Sequence, residues 1–175
     1  MAQRDVEPFE RLILPHLDDA YTLASYLLRN EHDAQDVVQD AVLRALRYFD
    51  GFQGGDARAW LLAIVRNCCH TWHRRYRADR VTMRYDDAES SPQLASAHEA
   101  DALAIRSSER ALIDRALDEL PVEFREVIVL RELQEMSYKE ISTVTGVPIG
   151  TVMSRLARAR KRMASLLGLQ VREAS

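Results

Sequence analysis

The chain has 175 residues, 47% of them hydrophobic and 29% charged, with a net charge of −3. That balance fits one or two globular domains, and no apolar run is long enough to cross a membrane. It also argues against a protein that holds duplex DNA through its own phosphate contacts alone, because that affinity rests on a surplus of cations.

The start of the chain, MAQRDVEPFERL, is charged and has no signal-peptide core, so a cytoplasmic location is expected. Residues 6–29 carry apolar side chains at helical spacing, from Phe9 through Leu12, Ile13 and Leu17 to Leu28. Pro15 lies inside that run and is expected to kink or break it. After the turn 29–33, Asp33 is the expected cap of a second helix, whose apolar face holds Ala34, Val37, Val38, Ala41, Ala45, Leu46 and Phe49. The opposite face carries Asp36, Gln39 and Asp40. Such a face is ordinarily just solvated, but an acidic row also suits a basic partner.

A glycine-rich loop with aromatics, 48–56, comes next, and Asp56 is the expected cap of a helix from Ala57 to about Arg77. Its inner face holds Trp60, Leu61, Ile64, Val65, Cys68 and Trp72. Its outer face offers Arg66, Asn67, Arg74 and Arg75, a basic track with an amide that could reach a base. Phe52 and Gln53 are the loop side chains best placed to meet an unstacked base, although Phe52 packing inward is nearly as good a reading. Cys68, Cys69, His70 and His73 suggest a metal, but the two thiols diverge by about 100° on a helix and no second cluster completes a tetrahedral site. Buried thiols and surface histidines are expected instead, with no metal and no cofactor.

Residues 79–108 are rich in Asp, Glu, Ser and Ala and read as a linker. From Glu109, the stripe Leu112, Ile113, Ala116, Leu117, Leu120 resumes a helical unit. Pro121 then fits the first turn of a helix with Phe124, Val127, Ile128, Leu130 and Leu133 apolar. Ser137 and Glu140 have capping-box spacing. Gly146, Pro148 and Gly150 stop one helix and start another, which makes a helix-turn-helix with small Ser142 at the closest approach. The second helix presents Thr151, Ser154, Arg155, Arg158, Arg160, Lys161 and Arg162 and no acid, as a major-groove reader requires. Lys139 on the first helix adds a cation. Arg155 is the candidate for a base edge, and Arg158, Arg160, Lys161 and Arg162 for phosphates. The fold class expected is all-α: two small helical domains, 1–78 and 109–175, joined by the linker 79–108.

The order DAQDVVQD (33–40), RAWLLAIVRN (58–67), an acidic linker, LPVEFREVIVLRELQEMSYKEIS (120–142) and GTVMSRLARARKR (150–162) closely resembles the extracytoplasmic-function group of bacterial sigma factors, in the sigma-70 family. The resemblance implies a transcription initiation protein with no catalysis of its own, which binds core RNA polymerase and promoter DNA and is commonly controlled by an anti-sigma factor. It implies that Asp36, Gln39 and Asp40 dock on the polymerase, and that loop 48–56 and helix 58–75 read and melt the −10 element. The helix-turn-helix would read the −35 element. Met153 stands where that family often has a basic residue, and Ser142 where alanine is usual. Two other readings remain open: a stand-alone helix-turn-helix regulator, which predicts tight duplex binding at two-fold symmetric sites, and an enzyme using the Cys/His cluster, which predicts bound metal.

Overall fold

The computed structural model describes the backbone of residues 6–83 and 101–168 and the side chains of 7–79 and 107–168. The acidic heart of the expected linker lies in 84–100, outside the described residues. Eight α-helices occur among the described residues: α1 Val6–Ile13, α2 Leu17–Leu28, α3 Glu31–Tyr48, α4 Ala57–Met83, α5 Asp101–Asp118, α6 Val122–Ile128, α7 Tyr138–Thr145 and α8 Ile149–Leu166. Those residues contain no strand.

Local chemistry sets most boundaries. Pro15 breaks the first apolar run into α1 and α2 through a 3-10 turn, Leu14–His16. The cap of α3 is Asn30 rather than Asp33: the Asn30 side chain accepts from the Asp33 N–H at 3.1 Å, so Asp33 is the residue being capped. Asp56 caps α4 as expected, accepting the Ala59 N–H at 3.0 Å. That helix runs to Met83, past the expected end near Arg77, since no glycine or proline intervenes. Likewise α5 begins at Asp101 rather than Glu109, through the good helix formers of 101–106. The linker therefore takes in helical residues at both ends.

In the second half, α6 opens into a π-helical turn, Val129–Leu133, with the Gln134 N–H bonded to the Val129 carbonyl at 3.1 Å. The wide turn swings Gln134 and Met136 inward, where both are buried. The capping box of Ser137 and Glu140 is formed in both directions. Gly146 ends α7 in the left-handed region (φ 72°), and Ser142 donates its hydroxyl to the Val147 carbonyl at 2.6 Å, which fixes the turn. Ile141, Val144, Val152 and Leu156 are buried between α7 and α8. On α5, Ala116 and Leu117 are buried but Leu112 and Ile113 are exposed, contrary to the stripe expected for them.

α2, α3 and α4 pack on one another, and α8 packs on both α6 and α7. The two groups also meet directly: α4 runs against α7, and α2 against α6. Leu23, Leu27, Leu61, Leu62 and Val65 of the first belong to one continuous buried cluster with Leu120, Val127, Leu130 and Met136 of the second. Polar ties cross the same seam. Arg58 bonds Asp19 and the Gln134 carbonyl, both at 2.7 Å, and Gln134 returns a bond to the Asp19 carbonyl at 2.7 Å. Tyr26 donates to Asp114 at 3.1 Å, and Arg29 pairs with Asp118 at 3.1 Å.

Candidate nucleic-acid interface

Asp36, Gln39 and Asp40 stand exposed on α3, opposite the buried row Ala34, Val37 and Ala41. Only Asp40 has an ion-pair partner, Arg44 one turn along at 2.9 Å, and that pair is itself exposed. Nothing else in the described chain covers this acidic row, so it is available to a partner with basic groups.

The loop before α4 is held by aromatics. Phe49 packs edge-on to Phe9 at 5.3 Å, and Phe52 lies 6.0 Å from Phe49 and 5.0 Å from Trp60. Phe52 is thus engaged with the loop's own support, while Gln53 is exposed beyond it. Gly54 and Gly55 have φ of 87° and 102°, which other residues adopt only with strain, and they bring the chain round into α4. Along α4, Asn67, Arg74 and Arg75 are exposed. Arg74 bonds Thr71 one turn back at 3.3 Å. Arg66, expected beside them, is turned away with 18% of its side chain exposed.

In the helix-turn-helix, Ser154, Arg158, Lys161 and Arg162 are exposed on α8, as is Lys139 on α7. Thr151 is half-buried, its carbonyl accepting from Ser154 at 3.0 Å. Two of the expected contact residues are already paired within the chain. Arg160 bonds Glu132 at 2.6 and 2.9 Å. Arg155 is only 25% exposed and lies 3.7 Å from Glu126.

Glu126 is the residue that sequence reasoning missed. It sits on α6 with no exposure at all, and Arg66 grips its two oxygens at 2.8 and 3.0 Å. His70 donates to it at 3.1 Å. Burial alone would push the carboxyl upward, but the hydrogen bonds and charges of His70 and Arg66 outweigh it and leave Glu126 below the ordinary carboxylate range. Cations of α4 and of α8 therefore converge on one carboxylate.

Arg125, next to it, is also buried and donates to the carbonyls of Leu117, Asp118, Leu120 and Tyr26. The expected surface histidines also face the seam. His70 holds Glu126, and the His73 Nε2–H donates to the Leu27 carbonyl at 2.9 Å. Burial lowers the pKa of His73, against that bond. Cys68 and Cys69 are buried free thiols, and burial pushes Cys69 up to about 12. Among the described residues no group of three or more His, Cys, Asp or Glu is placed to hold a metal ion, and no helix is long and apolar enough to cross a membrane.

The description "Sigma-70 region 2" matches residues 12–79, and "Sigma-70, region 4" matches residues 110–163. The ECF RNA polymerase sigma factor SigE of Mycolicibacterium smegmatis is 33% identical over 165 residues, which are 94% of this chain but 63% of that one; the chain thus spans less than two thirds of that relative. The ECF RNA polymerase sigma-E factor of Escherichia coli K12 is 31% identical, with 90% of this chain and 85% of that one covered. In structure, the sigma factor RpoE of Bartonella quintana, solved with the anti-sigma factor NepR, superposes with a TM-score of 0.76 at 27% identity. That match covers 94% of this chain and 99% of the other.

Proposed function

The chain belongs to the extracytoplasmic-function group of the sigma-70 family, and from that premise we propose that it binds core RNA polymerase and directs promoter recognition and transcription initiation. The observation that carries this reading is the pair of family matches, region 2 on α2–α4 and region 4 on α5–α8, in that order on one chain. The chain acts in the cytoplasm, where polymerase and promoter are, and is a specificity factor without a reaction of its own. An anti-sigma factor holds it in check, a role supported by the likeness to a sigma factor solved with one.

The roles divide at residues 1–78 and 109–175, with 79–108 between them. Asp36, Gln39 and Asp40 dock on the polymerase; their exposure as an uncovered acidic row supports this. Gln53, Asn67, Arg74 and Arg75 meet the −10 strand, and Phe52 braces the loop that presents Gln53. Lys139, Thr151, Ser154, Arg158, Lys161 and Arg162 lie on the face that reads the −35 element. Arg66, Arg155 and Arg160 join them only when released from Glu126 and Glu132.

The test is a gel shift on promoter duplex, with and without core polymerase. A shift that needs core enzyme is the expected result. Tight binding by the chain alone, at a two-fold symmetric site, would instead make it a stand-alone regulator.

A further inference from the structure

We propose that Met153, with Ile149 one turn before it, reads the 5-methyl group of thymine in the major groove, so that the upstream element chosen by this chain carries a thymine opposite Met153. The proposal rests on the functional reading above, which assigns α8 to the −35 element, and adds which base the leading end of that helix selects. Its own ground is an exposed apolar pair at the point where a reader of base edges would carry polar side chains. Met153 is 52% exposed and Ile149 is 45% exposed, four residues apart and so neighbours on the surface of α8.

The first turns of α8 offer few hydrogen bonds outward. Met153, Ser154, Ala157 and Arg158 are exposed on the side opposite the buried Val152, Leu156 and Ala159. Ser154 spends its proton on the Thr151 carbonyl at 3.0 Å, so its hydroxyl can only accept from a base. Arg155 is drawn toward Glu126, and Arg160 is bonded to Glu132. Arg158 is thus the first cation along the helix without an ion pair among the described residues. An apolar surface can tell base pairs apart in only one way. Of the groups that base pairs show in the major groove, the thymine methyl alone is apolar. Methionine suits it, because an unbranched, polarizable thioether moulds itself to an irregular apolar surface.

Charge complementarity commits this apolar pair to DNA. The exposed cations Arg158, Lys161 and Arg162 follow it on α8, and that helix holds no acidic residue. Cations beside an apolar centre hold phosphates while the centre meets base edges. In a helix-turn-helix the leading residues of the second helix are the ones that meet those edges. The pair spans about 6 Å of helix, roughly two base-pair steps of 3.4 Å, so adjacent thymines can be read together.

The experiment uses the full chain bound to core polymerase, with a pool of duplex DNA randomised in its upstream part as the probe. Selection should enrich a thymine at one fixed position. In the best binder, deoxyuridine then replaces that thymine, which removes the methyl and leaves every hydrogen-bonding group in place. For wild type the affinity should fall about fourfold, the worth of one buried methyl group. Met153→Ala should bind the thymine duplex about fourfold more weakly than wild type does, and deoxyuridine should then cost nothing further, since one contact can be removed only once. Neither change should alter the slope of log K against log salt, because no phosphate contact is lost. A selected sequence with no fixed thymine, or a deoxyuridine penalty that persists in Met153→Ala, overturns the proposal. So does loss of core-polymerase capture by Met153→Ala in the absence of DNA, which would give the apolar pair to the polymerase. The sigma-factor reading is judged separately: the chain with core polymerase should enrich an upstream sequence that core polymerase alone does not, and if it enriches none, both readings fall.

Discussion

Replacing Arg125 by methionine should destabilise the full chain by about 3–5 kcal/mol, because it leaves buried main-chain carbonyls without their donor at roughly 1–3 kcal/mol each. Arg125 is 6% exposed, and its guanidinium makes four hydrogen bonds, all to main-chain carbonyls: Leu117 at 2.8 Å, Asp118 and Leu120 at 2.9 Å, and Tyr26 at 3.2 Å. It thereby closes the C-terminal end of α5, where helix carbonyls have no partners of their own, and ties that end to α2. Four bonds to a charged donor are worth roughly 1.5–3 kcal/mol each, or about 6–12 kcal/mol gross. Two offsets reduce this. Burial opposes the charge and lowers the pKa of Arg125, with Arg29 adding to the effect, so methionine relieves a desolvation cost. The Leu117 carbonyl also keeps the Leu120 N–H at 3.1 Å. Urea unfolding measures the remainder. With a slope of about 2 kcal/mol per molar, the midpoint should fall by roughly 1.5–2.5 M at unchanged slope. Arg125→Lys should retain part of the stability, since an ammonium has three donors but no planar fork. A methionine variant within about 0.5 M of wild type would refute the claim that this cation holds the two halves together.

Asp36→Arg with Asp40→Arg should abolish binding to core polymerase in a pull-down, yet leave the circular dichroism spectrum unchanged, because both side chains are exposed on α3. Normal capture by that double variant would remove the surface from docking. The stability advantage of wild type over Glu126→Gln should depend on acid. Glu126 has a depressed carboxyl facing Arg66, His70 and Arg155, so its contribution is present above the ordinary carboxylate value of 4.5 and is lost as pH falls through its folded pKa. Unfolding free energies taken from pH 7 down to about pH 3 should show the gap closing, and a constant gap would refute the assignment. Asn67→Ala should lower the preference of the polymerase complex for single-stranded over duplex −10 DNA, measured by fluorescence anisotropy, since Asn67 is the exposed amide on α4. An unaltered preference would take Asn67 out of strand reading.

Local signals were readable wherever the chemistry is local. Ser137 with Glu140, Asp56, and Gly146 before Pro148 act within three or four residues, and the structure uses each of them. The exposed acidic row on α3 followed from helical period alone. Choosing between Asn30 and Asp33 did not, because two good capping residues stand three apart and only the extended backbone of Asn30 (φ −148°) decides between them. Glu126 was illegible for a different reason. In FREVIVL the charged pair Arg125–Glu126 falls where an amphipathic helix would face water, yet every residue from Arg125 to Leu130 is buried. α6 is covered by α2 on one side and α8 on another, and the partners of Glu126 stand 56 and 60 residues earlier in the chain. No window of sequence contains both ends of that interaction. Helical period alone points Arg66 and Arg155 toward DNA, whereas the structure turns both toward a carboxylate outside their own helices.

The placement of those cations also bears on why a chain of net charge −3 can read DNA at all. Of the five cations on α8, Arg155 is paired to Glu126 and Arg160 to Glu132, which leaves Arg158, Lys161 and Arg162 exposed without an ion pair among the described residues. Three phosphate contacts imply a salt slope of only about 2.7, against roughly 5–9 for a protein making six to ten. Non-specific affinity on that footing is weak, and the acidic row on α3 repels duplex further. A regulator working alone would need more cations or a second copy. A factor carried to DNA by a larger, basic partner does not, because the partner supplies the phosphate contacts that set position and the carried chain needs to supply only the base contacts that set sequence. The same economy gives the paired arginines a use: with few free cations the chain does not spend its time on non-specific duplex.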